Sequence, residues 1–301
     1  MGKINVKQVN VFTLLPQSGN AAGVVLEGSR LSEKQMLAVA RELHLPETAF
    51  ILSSIKPNID IKIRCFAPYH ETPVSGHALL AGIYSLAEEG SLGMSKKGEY
   101  QFQADTPSGI LPVEVIKQEG AISVMITVNF PTLTKATQYK TDLVRLLNIN
   151  LSDFDNRMVI VRNDSLFIGI KRLHALFGMK PNSIALANFL ETRGINGVCA
   201  YTTETIDRES VVHSRYFAPH LGIAEDSVTF STHSSLALIL QEIGALDLHD
   251  GQCVFQGEQG DVIGRRGRVS MELQVEDKKP TAIKIGGNAI TVMEGELLLN
   301  D

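Results

Sequence analysis

Apolar and polar residues alternate with a period of two over residues 4–12, 59–66, 100–104, 111–116, 122–129, 158–161, 269–275 and 283–285, which predicts a chain dominated by half-buried β-strands. Helical periodicity is confined to a few stretches. Residues 32–43 open with Ser32, followed three positions later by Gln35, the pattern of a capping box; residues 181–193 read similarly. Two further stretches, 76–89 and 231–243, end against Gly90 and Gly244, glycines suited to a helix C-terminus. Both are apolar on nearly every side, so each predicts a helix enclosed by sheet rather than one lying on a surface.

The approaches to these two helices match. Arg64, Phe66, Ala67 and Pro68 precede the first, and Arg215, Phe217, Ala218 and Pro219 precede the second. Allowing three extra residues in the second loop, 71–77 aligns with 225–231. An internal duplication follows. A linker near 131–151 is expected to join a first half, residues 1–130, to a second, residues 150–301, with the last strand able to pack on the first half. The fold class expected is α+β: two pseudo-symmetric halves, each an antiparallel sheet curled round its central helix. Unpaired N–H groups and the positive dipole end make a helix N-terminus a carboxylate site, so the functional site is expected in an interdomain cleft faced by both helix starts.

At 301 residues the chain is long enough for two domains with real cores, and 44% hydrophobic with 20% charged residues is ordinary globular composition. The net charge is -5 and the basic residues are scattered, which argues against a nucleic-acid partner. The longest apolar runs, such as 235–240, fall far short of a membrane span, and the first residues have no signal-peptide character, so a cytoplasmic location without membrane contact is expected. The three cysteines, Cys65, Cys199 and Cys253, form no CxxC pair and read as buried small residues in a reducing compartment. Neither a metal-ligand cluster nor a phosphate or dinucleotide loop is present in the sequence, so no metal and no cofactor are expected.

The chain resembles the PhzF-like phenazine-biosynthesis family, which shares the diaminopimelate-epimerase fold. The resemblance rests on Asn10-Val11-Phe12-Thr13 with Gly19-Asn20; Ala40-Arg41-Glu42-Leu43 with Glu47-Thr48-Ala49-Phe50; Phe66-Ala67-Pro68 through Gly76-His77-Ala78; and Phe217-Ala218-Pro219 through Glu225-Asp226. Gln259-Gly260, Gly264-Arg265 and Ile285-Gly286-Gly287 also fit. It implies a cofactor-independent isomerase that moves a proton on a small carboxylate-bearing substrate, dihydroanthranilate-like or amino-acid-like. By the same resemblance Glu47 is the acid/base, His77 and Asp226 complete the catalytic set, and Asn20, Ser75, Gly76, Phe230 and Ser231 bind substrate. Burial among Leu43, Leu45, Ala49 and Phe50 would raise the Glu47 pKa, with Arg41 and His44 as the nearest bases. Ser231 also reads as an N-cap. A homodimer is compatible with the resemblance.

Two departures bear on the pocket: Phe230 stands where many relatives carry glycine, and Ser227 follows Asp226 in place of proline. Phe230 favours an alternative, a catalytically inactive metabolite-binding protein of the same fold. A two-cysteine epimerase is excluded, because the positions at the two helix entrances hold Ser75 and Thr229, whose hydroxyls cannot replace a thiolate base.

Overall fold

The computed structural model describes residues 2–73 and 75–299; Val74, part of the repeated stretch, lies outside the described residues. Two compact units are formed, one by residues 1–128 with 284–301 and the other by residues 129–283.

The first unit comprises β1 (Gly2–Val11), β2 (Asn20–Val25), α1 (Glu33–Leu43), β3 (Thr48–Leu52), β4 (Ile61–Ala67), β5 (His70–Thr72), α2 (Gly76–Glu88), β6 (Gly98–Thr106), β7 (Gly109–Gln118) and β8 (Ala121–Val128). The second comprises β9 (Thr134–Lys135), α3 (Lys140–Leu147), β10 (Val161–Arg162), β11 (Leu166–Gly169), α4 (Leu173–Gly178), α5 (Ser183–Glu191), β12 (Val198–Thr202), β13 (Ser210–Ala218), β14 (Ile223–Asp226), α6 (Phe230–Glu242), β15 (Gly251–Gln259) and β16 (Gly267–Glu276). The last strand, β17 (Lys279–Leu299), begins in the second unit and runs on into the first.

In the first unit the pairings run β1 to β2, β2 to β3, β3 to β4, β4 to β6, β6 to β7, β7 to β8, β8 to β17 and β17 back to β1, so the sheet closes on itself. Closure leaves these strands no open edge, and the space inside is filled by α2. Residues 78–87 of that helix are all buried, which is why its sequence is apolar all round. Two pairings, β2 with β3 and β4 with β6, are parallel. Each joins strands separated by a helix, α1 or α2, and a helical crossover returns the chain in the same direction. The antiparallel sheet expected for this half thus also carries two parallel pairs.

The second unit repeats this pattern. β11 and β12 pair in parallel across α5, β12 and β13 antiparallel, β13 and β14 antiparallel, β13 and β15 in parallel across α6, and β15 and β16 antiparallel. The repeated sequence has a physical basis. The Arg64 guanidinium forks onto Glu71 at 2.7 and 2.6 Å and lies over the Phe66 ring at 5.1 Å. Arg215 forks onto Glu225 at 2.9 and 2.7 Å and lies over Phe217 at 4.9 Å. Such planar, bidentate, stacked geometry suits arginine and not lysine. Both central helices end at a left-handed glycine, Gly90 with φ 71° and Gly244 with φ 69°.

Several expected boundaries shift. The capping box of α1 forms as expected, with Ser32 as N-cap and Gln35 answering it. The 131–151 segment is not a linker: it carries β9 and α3, and Leu143, Leu146 and Leu147 lie in the core of the second unit. Only Val161 of the expected 158–161 strand belongs to one. Helix α6 is capped at Thr229 rather than at Ser231, which sits exposed in the first turn.

The duplicated framework diverges at one place beside β3 and β12. The Gly23 N–H donates to the Glu47 carbonyl at 2.9 Å, and the Leu166 N–H donates to the Gly197 carbonyl at 2.9 Å. Gly197 is thus the counterpart of Glu47. A Cβ there would overlap the Tyr216 ring, whose hydroxyl is 3.1 Å from the Ser165 Oγ. Gly197→Ala is expected to destabilise the protein by about 1–3 kcal/mol through overpacking, read by urea unfolding.

A second test concerns His233, which is fully buried in α6 and donates through Nδ1 to the Thr229 carbonyl at 2.7 Å. Burial pushes its pKa from 6.5 down to about 4. The folded state therefore holds it neutral, and its contribution to stability is complete above the unfolded value and lost as pH falls from 6.5 towards 4. From this group alone the protein should be about 2 kcal/mol less stable at pH 5 than at pH 7.5. His233→Asn should remove that increment of the pH dependence, whatever its own effect on stability.

Candidate functional site

In the first unit, Glu47 immediately precedes β3, and its backbone is fixed to β2 by the Gly23 N–H bond. Its side chain is 18% exposed. Ser75, buried at the N-cap of α2, donates its hydroxyl proton to Glu47 Oε2 and accepts the Ala78 N–H at 3.3 Å. His77, in the first turn of α2, places Nδ1 3.4 Å from Glu47 Oε2 and 3.3 Å from Ser75 Oγ. Gly76 is the first residue of that helix. Glu47, Ser75 and His77 are thus brought together. Asn20, buried at the start of β2, pairs in register with Val11 of β1.

Burial pushes the Glu47 pKa up to about 7, against the opposing pull of the hydroxyls of Ser75 and Thr72 and the neighbouring His70 imidazole. A carboxylate titrating near neutrality can take a proton and return it without a strong driving force in either direction. The bases around it are His77 and His70, not Arg41 and His44. Arg41 instead donates to the Pro68 carbonyl at 3.4 Å and lies over the Tyr69 ring. The Cys65 thiol, driven upward mainly by burial and secondarily by the Glu47 charge, stays a neutral thiol.

In the second unit, Asp226 ends β14 and its Oδ2 accepts the Thr229 hydroxyl at 2.6 Å. Gln259, fully buried, ties this pair down: its Nε2 donates to the Asp226 carbonyl and to Thr229 Oγ1, both at 3.0 Å, and its Oε1 accepts the Thr229 N–H at 3.2 Å. Phe230 and Ser231 open α6 directly after Thr229. Thr72, Thr229 and Gln259 are given no place in the site by the sequence alone. Their signal was present in the repeat, which sets Thr72 opposite Asp226 and Ser75 opposite Thr229, and in the Gln259-Gly260 pair. Among the described residues no group of three or more His, Cys, Asp or Glu side chains is placed to hold a metal ion. Among the described residues no helix is long and apolar enough to cross a membrane.

Comparison with known proteins agrees with this architecture. Residues 9–295 match the family model of phenazine biosynthesis-like proteins. The chain is 34% identical to an uncharacterized isomerase of Clostridium acetobutylicum, over 99% of both chains. It is 26% identical to the trans-2,3-dihydro-3-hydroxyanthranilate isomerase of Pseudomonas fluorescens, over 97% of this chain and 98% of that one. The crystal structure of a PhzF-family phenazine biosynthesis protein of Bacillus anthracis superposes with a TM-score of 0.86 at 27% identity, covering 99% of this chain and 100% of that one. The chain therefore belongs to the phenazine biosynthesis-like family and is an enzyme of the isomerase class.

Proposed function

We propose that this isomerase works without a cofactor, moving a proton between two carbons of a small carboxylate-bearing substrate with Glu47 as the acid/base. The single observation that supports this most strongly is the placement of Glu47, sheltered from water with neutral hydroxyls rather than a cation against it, where burial raises its pKa to about 7. The ionised carboxylate takes a proton from a carbon made acidic by conjugation to a carbonyl or imine. The resulting delocalised anion is reprotonated at another carbon by the same group, so that no proton is gained or lost overall. His77 is proposed to complete the proton path from α2, and Asp226 to hold an amino or hydroxyl group of the substrate. Asn20, Gly76, Phe230 and Ser231 are proposed to contact it. A cyclic dihydro-hydroxyanthranilate is the leading substrate class, because the Pseudomonas fluorescens relative is named for that reaction.

Proton transfer by one positioned group is worth about 10²–10⁴-fold in rate. Glu47→Gln is therefore expected to lose about that factor in kcat while retaining ligand affinity, and Asp226→Asn to lose less. The measurement follows deuterium from heavy water into a dihydro-hydroxyanthranilate or an enol-forming amino-acid analogue. Equal incorporation by wild type and Glu47→Gln removes Glu47 from the mechanism.

The pH dependence gives a separate test. The raised pKa makes the basic form of Glu47 the minority form below about pH 7, so kcat/KM should fall on the acid side with an apparent pKa near 7 rather than near 4.5. An acid limb at the ordinary carboxylate value would contradict the assignment.

A further inference from the structure

We propose that Ser75 is a positioning residue for Glu47, not a substrate ligand: its hydroxyl ties the acid/base to the N-terminus of α2 and fixes which carboxylate oxygen is turned towards substrate. The inference rests on the reading of Glu47 as the acid/base.

The hydrogen-bonding capacity of the hydroxyl carries the argument. A serine Oγ has one proton and two acceptor positions. The proton goes to Glu47 Oε2, one lone pair takes the Ala78 N–H at 3.3 Å, and His77 Nδ1 lies at 3.3 Å on the remaining side. Ser75 is 4% exposed, so little of it is open to a substrate. Ser75 holds Oε2, and the Thr72 hydroxyl beside the carboxylate donates to the Cys65 carbonyl at 3.2 Å, so the proposal assigns Oε1 to the carbon-bound proton.

The second unit supplies an independent observation. At the equivalent N-cap, Thr229 donates its hydroxyl to Asp226 Oδ2 at 2.6 Å. The two carboxylates come from different places in the repeat: Glu47 stands opposite Gly197, and Asp226 opposite Thr72. A carboxylate has thus been placed against the same N-cap hydroxyl from two directions. The recurring element is the hydroxyl, which identifies it as the device that orients a carboxylate.

The groups facing Glu47 are His77 on α2, His70 on β5 and the neutral thiol of Cys65 on β4. Of the polar contacts that stabilise its ionised form, the Ser75 bond is the largest. Its loss leaves burial less opposed, so the carboxyl should titrate higher. Glu47 should be followed by carbon-detected NMR of protein labelled in its glutamate side chains, the resonance identified with Glu47→Gln. Wild type, Ser75→Ala, Ser75→Gly and Ser75→Thr are compared. Glycine caps a helix nearly as well as serine does, so it removes the hydroxyl while sparing α2. Threonine retains the hydroxyl, as Thr229 does.

Both Ala and Gly variants are expected to raise the Glu47 pKa by about one pH unit, and threonine to restore it. The acid limb of kcat/KM should move by the same amount, with kcat at pH 7 about five-fold lower and KM unchanged. Titration and turnover like wild type in Ser75→Gly would overturn the proposal, as would a rise in KM at constant kcat, the mark of a lost substrate contact. If the NMR titration moves and the pH–rate profile does not, Ser75 still positions Glu47, and the assignment of Glu47 as the base is what fails.

Discussion

A carboxylate that is to exchange protons near neutral pH must be withdrawn from water without being handed to a cation, and the first unit is arranged around meeting that condition at Glu47. Burial alone would leave the group neutral and inert, whereas an ion pair would make it too weak a base. The barrel wall and α2 withdraw it, and neutral hydroxyls return part of what burial takes. Arg64, opposite Phe50 on the strand paired with β3, is already engaged: its guanidinium is shared by Glu71 and Glu33 and lies over the Phe66 ring. The repeated Arg-x-Phe element therefore keeps a permanent positive charge occupied as well as joining β4 to β5.

Duplication accounts for the frame but not for the chemistry. The two units share pairing order, stacked arginine, left-handed glycine after the central helix and a hydroxyl at its N-cap. At the Glu47 position, however, the second unit has lost its side chain, and the Tyr216 ring fills the volume. Tyr216 itself stands where the first unit has Cys65, since the two pair with Cys199 and Ala49 at corresponding registers. Its hydroxyl is kept protonated, with burial as the main cause raising its pKa to about 12. One unit thus offers a titrating carboxylate at this point and the other a packed aromatic ring.

Local rules in the sequence were easy to read where one residue type answers one geometric demand. Ser32 with Gln35, the glycines after α2 and α6, and the apolar character of both helices each announce a feature that a few neighbouring residues determine. The match to the phenazine biosynthesis-like family was legible for the same reason, since its stretches are short and ordered. The parallel pairs were not, because they depend on which strand the chain returns beside after a helix, and periodicity is blind to that. The 140–147 helix was hidden by its polar flanks, and its leucines become core only through α5 and the strands of its unit. At the site, burial of Glu47 could be argued from Ala49 and Phe50. Its partners could not: Ser75 and Thr72 come from beyond β4, and Ser231 was read as a cap because a serine at a helix start is ambiguous by two residues when threonine precedes it.

The pairing of β1 with β17 has a consequence for how the chain acquires its structure. Gly2 lies opposite Leu299, and Val11 opposite Ala289, so β1 can pair with β2 as soon as both are made but waits for β17, far along the chain, on its other side. The second unit, by contrast, is one uninterrupted segment, residues 129–283. It can assemble while the barrel is still open, and the cost of closing so long a loop falls late, on a partner already partly folded. Until β17 is made, β1 and β8 each have an exposed edge in search of a strand, and β17 is the piece that silences both.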